Sequence, residues 1–203
     1  MSLFEPGSWP IRWGPGWIES SVWTFTIQPW KVFSVPLIHV SAFSILSEQH
    51  KNRITEKSVI LAPDLGAAKL AQRYGNLLDL PAVDVHKERR SGEHVAVRSI
   101  IGKVKGRSPI LVDGIISTGG TMVSAIRALL ETGALPNVMV VATHGLFAGN
   151  SLQHFQELPV KSIIVTESVE NASAGHPPAE TVSLKTLLSD TIQRYDSPLE
   201  KQK

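Results

Sequence analysis

The sequence predicts an α/β protein in which a mostly parallel sheet is covered by helices on both faces. Short uninterrupted apolar runs point to it, such as SVILA at 58–62 and PILV at 109–112, as do the amphipathic segments that separate them. Strands buried on both faces read as continuous apolar runs, and parallel pairing needs helical crossovers between them. A third pointer is glycine at the end of two of the helical segments, Gly75 and Gly133, where helices commonly stop.

The elements follow in order. Residues 41–51 (SAFSILSEQHK) read as a helix, Ser58–Ala62 as a buried strand, and 65–75 (LGAAKLAQRYG) as an alanine-rich helix stopped by Gly75. Ala82–His86 is a strand, the polar run 87–94 (KERRSGEH) a loop or hairpin tip, and a further strand runs through Ile100–Ile101. Pro109–Val112 is a strand and Thr121–Thr132 a helix stopped by Gly133. Val138–Thr143 is a strand, 150–158 a short helix, Ser162–Thr166 a strand and 184–195 a last helix. The chain carries no internal repeat.

Composition narrows the classes. A length of 203 residues suits one domain of roughly 100–200 residues with an appendage. Hydrophobic content of 42% is enough for a core. A formal charge of +2 gives no argument for nucleic acid or an anionic membrane. With no cysteine there is no disulfide, thiolate zinc site or cysteine nucleophile. No apolar run approaches the roughly 20 residues that span a bilayer, and the start of the chain lacks the basic and apolar regions of a signal peptide. The expected location is the cytoplasm.

Composition also shifts sharply along the chain. All five tryptophans, Trp9, Trp13, Trp17, Trp23 and Trp30, precede residue 31, among Pro6, Pro10, Pro15 and Pro29. The expected organisation is a Trp/Pro/Gly-rich segment at 1–31, a domain at 32–195 and a polar tail at 196–203. The spacing of Trp9, Trp13 and Trp17 suits a helical stripe, but Pro10, Gly14, Pro15 and Gly16 oppose a helix there. An apolar segment lying over the domain or pairing with another subunit fits better, since bare tryptophans favour aggregation.

The densest chemical signal is PILVDGIISTGGTMVSAIRALLETGA at 109–134. Asp113 follows an apolar strand, at the carboxyl end where open α/β sheets place their ligands. Ser117, Thr118, Gly119, Gly120 and Thr121 then lead into a helix. The glycines let backbone N–H groups approach an anion, the helix N-terminus adds its dipole, and the hydroxyls offer donors to phosphate oxygens. A Gly-Gly pair between strand and helix is often only a tight turn, with Thr121 as the N-cap. Here acid, hydroxyls, strand and helix fall in one register, which favours a phosphate site. No lysine follows the glycines, so this is not a Walker loop, and there is no G-x-G-x-x-G.

VDGIISTGGT closely resembles the phosphoribosyl pyrophosphate-binding signature of type I phosphoribosyltransferases and of ribose-phosphate pyrophosphokinases. Other segments resemble the second family. These are APDLGAAKLA (62–71) at its pyrophosphate loop, HKERRSGEHVAV (86–97) at its flexible catalytic loop, and ATHGLFAG (142–149). The resemblance runs from about Val32 to Tyr195. It implies the type I phosphoribosyltransferase fold, a three-layer arrangement around about five mostly parallel strands, and a place in nucleotide biosynthesis.

The resemblance implies roles residue by residue. Ser117, Thr118, Gly119, Gly120 and Thr121 would hold the 5-phosphate of ribose 5-phosphate or phosphoribosyl pyrophosphate, and Asp113 the ribose hydroxyls. Asp64 would lie at the pyrophosphate loop. Lys87 and Arg89 would be catalytic, steadying a pyrophosphoryl group as it passes from ATP to ribose 5-phosphate with release of AMP. Mg²⁺ would be held chiefly through substrate phosphates, since the seven histidines show no metal-ligand spacing. His144, after a buried strand, is expected to be structural. The family forms homo-oligomers, so assembly is expected here too.

Two departures stand out. The family's loop begins with two acids, and the second is replaced by Gly114. The chain also resembles only the C-terminal half of the family. The D-L-H and N-G-E segments of the first half have no counterpart, and 24–35 contains neither Asp nor His. The expectations are therefore a ribose-phosphate pyrophosphokinase homologue, truncated or impaired, with two alternatives. One is a phosphoribosyltransferase that consumes phosphoribosyl pyrophosphate, and the other a non-catalytic regulatory homologue. If catalytic, the chain is a transferase of the ribose-phosphate diphosphokinase type.

Overall fold

The computed structural model describes residues 40–89, 95–101, 103–170 and 179–196. The segment 1–31, its boundary at residue 32 and nearly all of the tail 196–203 lie outside the described residues.

Helix α1 (Phe43–His50) precedes strand β1 (Ser58–Ala62), whose five residues are all buried. A 3₁₀ turn at Leu65–Ala67 leads into α2 (Ala68–Leu78), which buries Ala71, Tyr74 and Gly75. Then come β2 (Ala82–Arg89), β3 (Val95–Ile101), β4 (Ser108–Ile116) and α3 (Gly120–Glu131). The chain continues through β5 (Val138–Gly145), α4 (Ser151–Gln156), β6 (Val160–Thr166), β7 (Ala179–Val182) and α5 (Lys185–Asp196).

The strands form one sheet in the order β3-β2-β1-β4-β5-β6-β7. Six are mutually parallel, and β3 alone is antiparallel, to β2. The expected parallel sheet is present with more strands than the five expected. The strand expected through Ile100–Ile101 is β3, which closes a hairpin at one edge; the strand not read from sequence is β7 (AETV) at the other, whose apolar content is too low. The crossover β1–α2–β2 travels one way along the sheet, and β4–α3–β5 and β5–α4–β6 travel the other. Right-handed crossovers therefore set α2 and α3 on opposite faces. Between sheet and α3, Val140, Ala142, Met122, Ile126 and Leu129 join one core with Leu111 and Phe155.

Three boundaries differ from expectation for physical reasons. Helix α2 runs through Gly75 and ends at Asp79, whose φ of 54° is a left-handed conformation that aspartate tolerates. Gly75 is there because space is short: a Cβ would stand 2.8 Å from the Leu80 carbonyl oxygen and 3.2 Å from the Ala82 Cβ. Strand β2 extends through 87–89, because these residues pair with 95–97 across the hairpin. Strand β4 runs on past Val112 to Ile116, because Ile115 and Ile116 pair with His144 and Gly145.

Candidate functional site

Strand order reverses between β1 and β4: the chain moves outward from β1 to β2 and β3, then returns to β4 on the other side. At such a switch the loops leaving neighbouring strands diverge to opposite faces, opening a crevice at their carboxyl ends. Asp64 leaves β1 here, and Asp113 and the loop 117–119 lie at the end of β4. Topology therefore gathers Asp64, Asp113 and the Ser117–Thr121 segment at one end of the sheet.

The loop is three residues long. Gly119 is the N-cap of α3 with φ of 75°, and no side chain caps this helix. Thr121 lies inside the first turn, so the simple capping turn is not what the residues form. The helix also carries no acidic residue in its first turn. No carboxylate of that turn offsets the positive end of the helix dipole. Below the loop the packing is tight: a Cβ on Gly119 would come within 2.9 Å of Cε2 of Phe155 in α4. Above it, the segment after β5 ties the loop down. The N–H groups of Leu146 and Phe147 donate to the Ile116 carbonyl at 2.9 and 3.3 Å, and that of Ala148 donates to the Ser117 carbonyl at 3.0 Å. Phe147 takes φ of 45° to make this turn. Ser117, Thr118, Gly120 and Thr121 remain exposed.

Asp113 is half-buried in β4, opposite Ala142 of β5, and its Oδ1 accepts the N–H of Gly114 at 2.6 Å. Gly114 itself is buried. Asp64 caps the 3₁₀ turn, its Oδ1 accepting the Ala67 N–H at 3.2 Å. This capping role was not read from the sequence, although Asp immediately before a helical run is a usual N-cap signal. Leu65, Ile115 and Leu146 are exposed apolar residues at or just beyond the carboxyl ends of β1, β4 and β5.

Lys87 and Arg89 lie on β2, in register with Val97 and Val95 of β3. The β1–β2 pairing ends at Ala62↔Asp84, so β2 runs five residues further, roughly 16 Å at the usual rise. The hairpin projects from the same carboxyl end that holds the loop. His144 hydrogen-bonds through Nδ1 to Ser168 Oγ at 2.7 Å, and burial lowers its pKa. This partnership matches its expected structural place. Among the described residues, no cluster of three or more His, Asp or Glu could hold a metal ion, and no helix is long and apolar enough to cross a membrane.

The phosphoribosyl transferase domain family matches residues 38–179. The chain is 33% identical over 166 residues to the ribose-phosphate pyrophosphokinase of Chlorobaculum tepidum, covering 81% of this chain and 51% of that protein. Against the enzyme of the same name from Vibrio parahaemolyticus it is 34% identical over 170 residues, 81% of this chain and 53% of the other. The crystal structure of phosphoribosylpyrophosphate synthetase from Mycobacterium smegmatis is similar with a TM-score of 0.67 and 29% identity, over 81% of this chain and 53% of that one. The chain thus spans about half the length of the curated relatives it matches. These likenesses agree with the resemblance carried by 62–71, 109–121 and 142–149.

Proposed function

The chain belongs to the phosphoribosyl transferase domain family, and from that premise we propose that it holds ribose 5-phosphate at the β1–β4 switch point as a ribose-phosphate pyrophosphokinase homologue. The observation that carries this reading is the α3 N-terminus, which has no side-chain cap and no acid in its first turn. The exposed hydroxyls of Ser117, Thr118 and Thr121 stand beside it. A 5-phosphate there accepts backbone N–H and hydroxyl bonds, and Asp113, at the end of the same strand, accepts from the ribose hydroxyls.

Asp64 lies on the β1 side of the crevice, where a pyrophosphoryl group would extend. Lys87 and Arg89, on the projecting hairpin, are the cations that would meet that group during transfer from ATP. Mg²⁺ fits this site as an ion held mainly through substrate phosphates, because the carboxylates of Asp64 and Asp113 each already accept a backbone N–H. Bound there, it would neutralise phosphate charge. Gly114 in place of a second acid favours one further reading, a chain that binds sugar phosphate without turning it over. Self-assembly, expected from the relatives, belongs to the same proposal.

Calorimetric titration with ribose 5-phosphate and with phosphoribosyl pyrophosphate, each with and without Mg²⁺ and ATP, tests the site. Release of AMP tests the reaction. Asp113→Ala and Thr118→Ala should each weaken ribose 5-phosphate binding about tenfold, the order expected for a hydrogen bond involving a charged group, with thermal unfolding little changed. Equal binding by both variants would remove the site assignment. Binding without AMP release would leave the non-catalytic reading.

A further inference from the structure

A cavity of about 430 Å³ opens at the other end of the sheet, where β1, β4, β5 and β6 begin. That is a size typical of small-molecule sites. Its floor is apolar, from Pro109, Ile110 and Met139, and its polar wall holds Ser58, Ser108, Asn137 and Ser162. Two atoms of this wall are buried with no hydrogen-bond partner among the described residues: Ser162 Oγ, on a residue 4% exposed, and Asn137 Oδ1. The other end of the Asn137 amide is engaged, Nδ2 donating to Ser108 Oγ at 3.0 Å. A buried polar atom without a partner costs on the order of 1–3 kcal/mol, so native proteins generally supply one.

Charge narrows the chemistry. Of the two cations that line the cavity, Arg53 is held by Glu180 in a two-pronged pair at 2.5 and 2.8 Å. Lys161 makes no ion pair among the described residues, which leaves about one unit of positive charge over the cavity. An oxyanion oxygen would accept from the Ser162 hydroxyl and from Lys161. It cannot satisfy Asn137 Oδ1, which needs a donor, and a hydroxyl on the occupant would supply one.

We propose that this cavity binds a small hydroxylated oxyanion, with its charged oxygens on Ser162 and Lys161 and its hydroxyl donating to Asn137 Oδ1. The carboxylate or phosphate-ester form of the charged group is the one feature the wall leaves open. This site stands at the opposite end of β4 from the loop at 117–121 and is independent of it.

Amide NMR of the full chain, titrated with glycerate, glycerol 3-phosphate and glycerol at millimolar concentration, tests it. Saturable shifts at Ser58, Ser108 and Ser162 are expected with one or both anions. A response to glycerate alone assigns a carboxylate, and to glycerol 3-phosphate alone a phosphate ester. Ser162→Ala and Lys161→Ala should each weaken binding about tenfold. Ser162→Ala should leave the fold intact, since that hydroxyl has no protein partner. The proposal is overturned if neither anion shifts these amides, if shifts are confined to 117–121, if glycerol binds equally well, or if both variants bind as before.

Discussion

Gly119→Ala should destabilise the domain by about 2–5 kcal/mol and abolish sugar-phosphate binding. Two independent costs meet at this residue. Its φ of 75° is left-handed, which a residue with a Cβ adopts at about 1–2 kcal/mol. The new methyl would also stand 2.9 Å from Cε2 and 3.2 Å from Cζ of Phe155, whose ring is fully buried. Overpacking of this kind costs about 1–3 kcal/mol, because neither the ring nor the loop above it has room to yield. The loop is pinned by its own carbonyls to 146–148, so relief would come by shifting the first turn of α3, the turn proposed to meet the phosphate.

The neighbouring glycine gives the opposite sign. Gly120 has no positive φ, and a Cβ there meets nothing nearer than Thr118 Oγ1 at 3.9 Å. Gly120→Ala should therefore add about 0.5–1 kcal/mol of stability, as alanine does within a helix. If phosphate lies against this turn, the same variant should still bind ribose 5-phosphate more weakly. Urea unfolding and calorimetry on both variants check the pair. Equal stability of Gly119→Ala and the unaltered chain would mean the loop is looser than its packing shows. Unimpaired binding by Gly120→Ala would move the phosphate away from the first turn.

How much of this was legible beforehand depends on where the determinants lie. Ser58–Ala62 and the helix after Gly120 could be read because each carries its whole signal locally, in an unbroken apolar run or in Met122, Ile126 and Leu129 on one face. The carboxyl end of β4 could not. Gly114 looks like a turn residue, and what keeps 115–116 extended is pairing with His144 and Gly145, some thirty residues away. Gly75 misled in the same manner, since its meaning is the approach of Leu80 and Ala82, not the end of a helix. The phosphate loop was legible because acid, hydroxyls and glycines are contiguous. Phe155 beneath it was not, because a lone aromatic in a six-residue helix carries no mark of its partner. The polar wall of the opposite cavity was invisible for a related reason: Ser58, Ser108, Asn137 and Ser162 come from four separate strand starts.

Stability should also fall between pH 7 and pH 4.5, by about 2 kcal/mol through His50 alone. It is fully buried at the end of α1, with Nε2 2.6 Å from the Tyr74 hydroxyl, and the Tyr74 ring packs edge-on against Phe43. Burial is the main reason its pKa is lowered to about 4, with Arg53 pushing the same way and Glu180 opposing. Burial also raises the Tyr74 pKa, so the phenol keeps its proton and its hydroxyl pairs with Nε2 of the neutral ring. Protonating the imidazole would bury a charge.

The sign follows from the direction of the shift. The folded pKa is the lower one, so between about pH 6.5 and 4 the unfolded chain binds the extra proton. Stability is then full above pH 6.5 and declines as the pH falls through this window. A shift from 6.5 to about 4 corresponds to roughly 3 kcal/mol in all, most of it lost by pH 4.5. Two carboxylates act in the same direction at lower pH. Glu180 is held low by Arg53, and Glu167 by Ser183 and the Leu184 N–H; both contribute above the ordinary glutamate value and lose that contribution below it. Measurements from pH 7.5 to 4.5 therefore report mainly on imidazoles, His50 together with His144, whose pKa burial also lowers. His50→Gln keeps a neutral hydrogen-bonding side chain without a titration, and its unfolding free energy should fall by about 2 kcal/mol less than that of the unaltered chain across that range. A decline as steep as that of the unaltered chain would place the acid sensitivity elsewhere. A flat profile in both would mean that water reaches His50 and lets it carry its charge.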